Sequence, residues 1–146
     1  MATIQISAIR SRTAAALAAL SGWKESRWHA DLFGNDPLTT LHKGFAVDVR
    51  GSTPRTQEAG RRVGHQLVDT IIGIKWAHKL RADAQITDMA GALDAEAAAV
   101  VAVMAMAHTD LSSISLAGFA PRGVSNDGSH IVGDFSIRVT HLYSLT

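Results

Sequence analysis

The side chains best suited to chemistry in this sequence are its seven histidines, since the chain contains no cysteine. A zinc site usually needs histidine and cysteine ligands grouped at short spacings along the chain. The histidines are instead scattered, with no two of them three to five residues apart; they stand at positions 29, 42, 65, 78, 108, 130 and 141. The spacing therefore predicts no metal site, and the lack of cysteine excludes disulfides and thiolate chemistry.

Other catalytic signatures are also missing from the sequence. It has neither a Gly-x-x-x-x-Gly-Lys phosphate loop nor a Gly-x-Ser-x-Gly nucleophile elbow. Asp94 and Glu96 are two apart on a predicted helix, so their carboxylates point in different directions. Trp23, Trp28 and Trp76 could form a ligand platform, although packing in a core or an interface is favoured for them. We therefore expect no enzyme activity, no catalytic residues and no cofactor.

A polar segment rich in turn-forming residues, Gly51–Gly60, is the one locally basic region. With its flanks it carries four arginines against one glutamate: Arg50, Arg55, Arg61 and Arg62 against Glu58. The arginines lack helical spacing and interleaved aromatic residues, which disfavours sequence-specific DNA recognition. Two interpretations stay open. The segment is either a contact loop for a neighbouring subunit or a passing nucleic-acid strand, or a solvated hairpin tip whose arginines keep the edge soluble.

The elements that position these residues follow from hydrophobic periodicity. Helical spacing predicts two amphipathic helices, Ser7–Leu20 and Asp83–Ala107. The second carries an apolar stripe that should face the core: Ile86, Met89, Leu93, Ala97, Val100 and Met104. Alternation and turn signals predict strands at Lys24–His29, Gly44–Arg50, Val63–Lys79, Leu111–Phe119 and Ile131–Leu145, with an Asn-Asp-Gly hairpin turn before the last of them. The predicted fold is a single α+β domain over residues 1–146, with both helices on one face of an antiparallel sheet.

Two predicted strands are long for a chain of 146 residues. A compact chain of this length is about 40 Å across, whereas Val63–Lys79 would span about 55 Å and Ile131–Leu145 about 50 Å. Either the strands bend at Gly64, Gly73 and Gly133, or their ends extend from the globule as a long protruding hairpin. A protruding hairpin exposes unpaired backbone groups. Together with a charged fraction of only 18%, this favours self-association.

Charge and hydropathy disfavour a membrane partner. The net charge of +1 gives no electrostatic case for binding nucleic acid or anionic lipid, and no apolar run is long enough to span a bilayer. Arg10 and Arg12 precede an alanine-rich stretch that faintly resembles a signal peptide. Ile4, Ile6 and Ile9, which come before both arginines, favour a mature amphipathic helix instead.

The order of elements, with particular stretches, resembles the tail terminator (tail completion) proteins of long-tailed bacteriophages. The stretches are Gly22-Trp23 after the first helix, Phe45–Val49 and Gln66–Trp76 around a polar tip, Gln85-Ile-Thr-Asp and Ala92–Glu96 in the second helix, and the closing Asp134–Tyr143. The likeness covers nearly the whole chain as a pattern. The related head-to-tail neck proteins share much of this layout.

The resemblance implies a structural subunit of a ring, usually a hexamer, that stops tail-tube polymerisation and gives the head a docking surface. Its partners would be further copies of the chain, the tail tube protein and a head-tail connector or neck protein, in the virion after assembly in the host cytoplasm. The family's contacts lie on hairpin tips and sheet edges, here Arg50–Arg62 and the strand ending at Leu145. The candidate interface residues are Arg50, Arg55, Arg61, Arg62, Trp76, Arg138 and Tyr143.

Two other functions compete with this interpretation. One is a small ligand-binding or enzymatic α+β domain with a pocket between helix and sheet near Trp76. The other is a nucleic-acid binder that uses the arginine tip, and non-specific contact with passing DNA is also an expectation for the ring. The ring remains the prediction, because no cluster of polar residues marks a pocket.

Overall fold

The computed structural model describes residues 2–26, 42–55, 64–106 and 110–145. These residues form two helices and six strands, and the predicted α+β fold is confirmed. The elements in chain order are α1 (Ile6–Ala18), β1 (Lys24–Glu25), β2 (Gly44–Pro54), β3 (His65–Lys79), α2 (Gln85–Met104), β4 (Leu111–Phe119), β5 (Gly123–Val124) and β6 (His130–Ser144).

The strands form one sheet in the order β1-β2-β3-β6-β4, with β5 beside β6. The two fifteen-residue strands β3 and β6 pair along their whole length, from His65 opposite Ser144 to Lys79 opposite His130. The expectation of a wholly antiparallel sheet is wrong, because β1 runs parallel to β2. A long connection joins these two strands, as a parallel pair requires, whereas an antiparallel hairpin needs only a tight turn.

The core lies on one face of the sheet. Alternating residues of β3 pair with alternating residues of β6 on that face, so that Ile72 lies opposite Ile137 and Ile74 opposite Phe135. One buried cluster joins these side chains to residues of both helices, including Ile9, Leu17, Ala92, Ala99 and Val103. Complete burial of each large apolar side chain stabilises the fold by about 1.5–3 kcal/mol.

The buried side of α2 differs from the predicted one. Its buried residues are Ala92, Glu96, Ala99 and Val103. Ile86 is 89% exposed and Val101 67% exposed, and Met89 and Leu93 are also exposed. In the second half of the helix, Val100 and Met104 of the predicted stripe do pack against the core beside the buried Val103. In the first half, the helix buries Ala92 and the Glu96 carboxylate instead of the more apolar residues that periodicity selects. No helix among the described residues is long and apolar enough to cross a membrane.

The predicted Asn-Asp-Gly turn joins β5 to β6. Gly128 has a φ of 72°, a conformation that favours glycine, and its N–H donates to the carbonyl of Ser125 at 2.9 Å. The Asp127 carboxylate accepts hydrogen bonds from the Ser125 hydroxyl and the Ser129 N–H. These bonds hold the pKa of Asp127 at about 2 and fix the turn that starts β6.

Candidate functional site

The sheet has a buried end and an exposed end. The first four residues of β2, Gly44–Val47, are buried, whereas Val49–Pro54 are all exposed. We call the far part of the ladder the exposed end, after the exposure of its β2 residues; it consists of Gly51–Arg55 with their partners His65–Ile71 and Arg138–Leu145. Some of these partners remain buried, namely Val68, Thr70, Val139, Thr140, His141 and Leu142. The predicted polar tip, Gly51–Gly60, starts later than expected, because β2 continues to Pro54 instead of ending at Arg50; residues 56–63, which would close the hairpin, lie outside the described residues. Its predicted protrusion therefore stays a prediction.

An apolar cavity of about 310 Å³ opens at the exposed end, on the side of the sheet that carries the helices. It is lined by Ile6, Ser52, Pro54, Gln66, Val68, Tyr143 and Leu145. The two polar side chains of β2 and β3 in this lining are already engaged. The Ser52 hydroxyl lies 2.9 Å from that of Thr70, and the Gln66 amide donates to the Arg55 carbonyl at 2.8 Å. The cavity therefore favours apolar contacts over the orientation of a polar ligand.

The opposite side of the sheet carries an ion-pair lattice that engages Arg50. The Arg50 guanidinium reaches from β2 across β3 to β6, where its Nη2 lies 2.7 Å from each carboxylate oxygen of Asp134. It crosses β3 over Gly73, where any Cβ would overlap Arg50 and Asp48. A register shift between Val49 and Gly51 makes Arg50 the extra residue of a β-bulge, and such bulges redirect side chains.

Arg55 belongs to a second part of this lattice, at the exposed end. Its Nε lies 3.0 Å from Asp69 Oδ2, and Asp69 also accepts a 2.5 Å hydrogen bond from the Thr140 hydroxyl. Burial acts to raise the pKa of Asp69, but the hydrogen bonds from Thr140 and Arg55 outweigh it and lower that pKa. Arg50 and Arg55 are thus neutralised within the chain, so this surface is weaker as an anion-binding patch than the arginine count suggested.

The other candidate interface residues have different outcomes. Arg138 is exposed on the same side as Arg55, and Tyr143 lines the apolar cavity. Arg61 and Arg62 lie outside the described residues.

Trp76 must be removed from the candidate interface. Its side chain is only 1% exposed, and its indole lies across β6 at Gly133, where a Cβ would overlap the ring. The indole N–H donates to Glu96 Oε2 at 2.9 Å. Trp76 lines neither the apolar cavity nor the histidine cavity described below. The prediction failed because the sequence does not show whether an aromatic residue in a strand is buried by its own chain or by a partner.

Glu96 and Arg122 are residues that the sequence analysis missed. Glu96 is only 3% exposed, and its Oε1 accepts hydrogen bonds from Nε and Nη2 of Arg122. The guanidinium of Arg122 also stacks 5.5 Å from the Phe119 ring centroid. This network ties the connection after β4 to α2 and to Trp76. Burying a carboxylate is costly unless it is paired, so these contacts are structural requirements of the core.

Two histidines that are distant in sequence meet at the buried end. The rings of His42 and His78 lie 4.4 Å apart in an edge-to-face arrangement, beside a cavity of about 450 Å³ that Lys79, Arg81 and Asp88 also line. The Lys79 N–H donates to His42 Nδ1 at 3.1 Å. Only the pairing of β2 with β3 brings these residues together, so spacing along the chain could not reveal them.

Burial and charged neighbours set the electrostatics of this histidine pair. Burial is the main cause that lowers the pKa of both histidines, and nearby positive groups such as Lys43 lower it further. Asp88 is held by Arg81, which lowers its pKa to about 2. Within the described ranges, no three histidine, aspartate or glutamate side chains could hold a metal ion together.

The lateral edges of the sheet are the second feature of the candidate surface. On one side, β1 covers only Gly44 and Phe45 of β2, and the Arg10 guanidinium donates to the Val47 carbonyl at 3.2 Å. On the other side, β4 is an edge strand of nine residues with no charge and no proline. Leu116 and Phe119 of this strand are 41% and 49% exposed. Among the described residues, no strand pairs with the outer side of β4 or with β2 beyond Val47.

No protein-family model matches the sequence, and no curated protein matches it at a significant level. The function is therefore argued from this surface and from the resemblance described above. Among the described residues, this surface combines two strand edges without a partner strand, an apolar cavity, and arginines that are paired with aspartates of the same chain.

Proposed function

We propose that this chain is a structural subunit that assembles with copies of itself into a ring at the tail or neck of a long-tailed bacteriophage. There it would cap the tail tube and join the tail to the head. The observation that carries the proposal is that, among the described residues, no strand pairs with the outer edge of β4 or with the outer edge of β2 beyond Val47. The phage context comes from the resemblance of the sequence pattern.

Open strand edges are a liability that natural proteins usually manage. Charged residues, proline or a covering element guard most edges against pairing with another chain. β4 contains neither charge nor proline, and burial of its exposed apolar side chains would favour association with another chain. Permanent partners would remove this liability, which supports an assembled subunit over a free monomer.

Further surface is left for the other partners of the ring. The exposed side of α2 carries Ile86, Met89, Leu93 and Val101, and the apolar cavity lies at the exposed end of the sheet. We propose that the tail tube protein and the connector or neck protein use surfaces of this kind. DNA contact gains less support, because Arg50 and Arg55 are paired with aspartates.

The ring is tested by size-exclusion chromatography with light scattering over a wide range of protein concentration, followed by negative-stain imaging. We expect a single oligomer of defined mass and closed rings in the images. In a second experiment the protein is mixed with isolated tail tubes, since some ring proteins assemble only on their partner. A chain that remains monomeric at every concentration and fails to bind tube ends would contradict the proposal.

The alternative of a ligand-binding domain with a pocket near Trp76 is less well supported. Trp76 packs against Gly133 and Glu96 inside the core. A reproducible thermal stabilisation by one member of a metabolite panel would favour that alternative.

A further inference from the structure

We propose that neighbouring copies join head to tail through their strand edges, with β2 of one copy pairing antiparallel with β4 of the next. One continuous sheet would then run around the assembly. This inference rests on the proposed ring and specifies the contact that holds it together.

Strand direction supports this pairing. β2 is antiparallel to β3, β3 to β6, and β6 to β4, so β2 and β4 run in opposite directions at the two edges of the sheet. A second copy related by rotation about an axis along the strands therefore presents its β4 antiparallel to β2. The alternation of strand directions then continues without interruption, and each side of the sheet remains on its own side.

Among the described residues, the unpaired parts of the two edges also lie at the same position along the strand direction. Thr53 pairs with Asp69, Asp69 with Thr140, and Thr140 with Ser113. The next row along the same side starts at Gly51 on β2 and ends at Ser115 on β4. A rotation with little shift along the strands therefore brings Thr53 opposite Ser113 of the neighbour, while a shift of two residues brings it opposite Ser115.

Short strands of the same chain restrict the proposed pairing to this part of the two edges. At the buried end, β1 covers the start of β2, and β5 occupies the place beside β6 that β4 fills further along. The chain thus adds its own short strands at this end, and at the other end Thr3 forms a parallel bridge with Leu142 of β6. Among the described residues, the edges that remain for a partner are β2 beyond Val47 and β4.

Side chains on the two edges complement each other. Ile114 and Leu116 of β4 point to the helix side of the sheet, since they pair with core-facing Val139 and Ile137. Ser52 and Pro54 of β2 line the apolar cavity on that same side. With Thr53 opposite Ser113, Ile114 of one copy lies opposite Ser52 at the cavity of its neighbour; after the shift of two residues, the exposed Leu116 takes that place. In either register, apolar surface of both copies is removed from water.

Pairing of like edges would leave more backbone hydrogen-bonding groups without a partner strand than the proposed pairing of β2 with β4. Contacts of β2 with β2, or of β4 with β4, use one edge of each copy, stop at a dimer and leave the other edges open. Head-to-tail contacts use both edges in every copy and form a ring when the rotation closes. The chemistry of the two edges thus favours the heterologous arrangement.

The absence of cysteine allows a clean crosslinking test. The variants Thr53→Cys, Ser113→Cys and Ser115→Cys are made singly, and Thr53→Cys is combined with each serine variant. All three positions are exposed. A disulfide requires Cβ atoms about 3.5–4.5 Å apart, so only closely opposed residues react. Thr87→Cys on exposed α2, combined with Ser113→Cys, is the matched control, and circular dichroism verifies the fold of each variant.

We expect at least one of the two combined strand variants to form a ladder of covalent oligomers under mild oxidation. Paired thiols have a high effective concentration, so this crosslinking should be at least about tenfold faster than in the single variants and in the Thr87 control. Thr53→Cys protein can also be mixed with whichever of the Ser113→Cys and Ser115→Cys variants reacts. Because each copy then carries one cysteine, we expect covalent dimers but no larger covalent oligomers.

The possible failures are distinguishable. Efficient dimerisation of a single variant would show symmetric pairing and overturn the inference. Failure of both combined variants to crosslink, in protein that light scattering shows to be oligomeric, would overturn the inference and leave the ring standing. A wild-type chain that is monomeric both alone and with tail tubes would overturn the ring and the inference together.

Discussion

The two ends of the β2–β3–β6 ladder share one backbone arrangement but differ in what covers them. At the buried end, Phe45, Trp76 and Phe135 are enclosed by the helices. At the exposed end, the same strands continue in register, yet Thr53 and Pro54 are exposed and Tyr143 borders an open cavity. Along β2, strand pairing therefore does not require burial of the side chains on the same protomer. The exposed end keeps its backbone hydrogen bonds, while its β2 residues and its cavity leave apolar surface in contact with water.

The largest expected contrast between the ends comes from adding one methyl group to each. Gly133→Ala should destabilise the protein by about 3 kcal/mol, because the new Cβ overlaps the buried Trp76 ring and an overpacked core cannot relax. Gly51→Ala should change stability by less than about 0.5 kcal/mol, because nothing lies near its Cβ. Urea denaturation of both variants measures the difference. Similar losses at the two sites would show that the exposed end is as tightly packed as the core.

The carboxylate of Glu96 tests how far the buried end depends on polar contacts. Glu96→Ala should cost about 2–3 kcal/mol, since it leaves the buried Trp76 N–H without its acceptor and frees Arg122. Glu96→Gln should cost less because its side-chain oxygen can still accept from Trp76. Asp94→Ala, at an exposed position on the same helix, is the control for helix propensity. An equal loss of stability in Glu96→Gln and Glu96→Ala would show that the negative charge of Glu96, and not its hydrogen bond with Trp76, stabilises the fold.

Acid should destabilise the protein through histidines that are held neutral. Burial is the main cause that lowers the pKa of His42, His78 and His141 in the folded chain. The unfolded chain therefore binds more protons than the folded chain as the pH falls through about 6.5, and stability decreases. We expect the melting temperature to fall between pH 7.5 and 5.5, and His78→Asn to reduce the slope. A flat profile over this range would contradict the burial of these rings.

The smallest expected effect is the loss of an ion pair at the exposed end. Arg55→Met removes the contact with Asp69 and should cost less than about 1 kcal/mol, because the arginine side chain is largely in water. Arg10→Met, which removes an exposed pair with Glu25 together with the hydrogen bond to the Val47 carbonyl, provides the comparison and should cost at least as much. A loss in Arg55→Met far larger than that in Arg10→Met would mean that the exposed end depends on its charge lattice for folding.

The elements were more predictable than their surroundings. The bounds of β4, Leu111–Phe119, match the predicted strand, and β3, β6 and both helices differ from prediction by a few residues. Alternation and helical spacing are local properties, so one sequence suffices to detect them. The α+β fold class followed from the same pattern, whereas the order in which the strands pair did not.

The candidate site was less predictable, because its properties depend on contacts between distant residues. Nothing in the local sequence shows that α2 buries Glu96 and exposes Ile86. The same limit applies to His42 and His78, which meet only through the register of β2 with β3. Trp76 was placed at an interface because an aromatic residue on a strand suits a protein contact as well as a core.

The central claim is that the open edges of β2 and β4 are occupied by other copies of the chain. Hydrogen–deuterium exchange of the assembled protein, compared with protein dissociated by dilution, measures this at the backbone. We predict that amides within Gly51–Pro54 and Ser113–Leu116 gain protection together on assembly, while those of β3, which are already paired, change little. Assembly with no added protection at either edge would contradict the account.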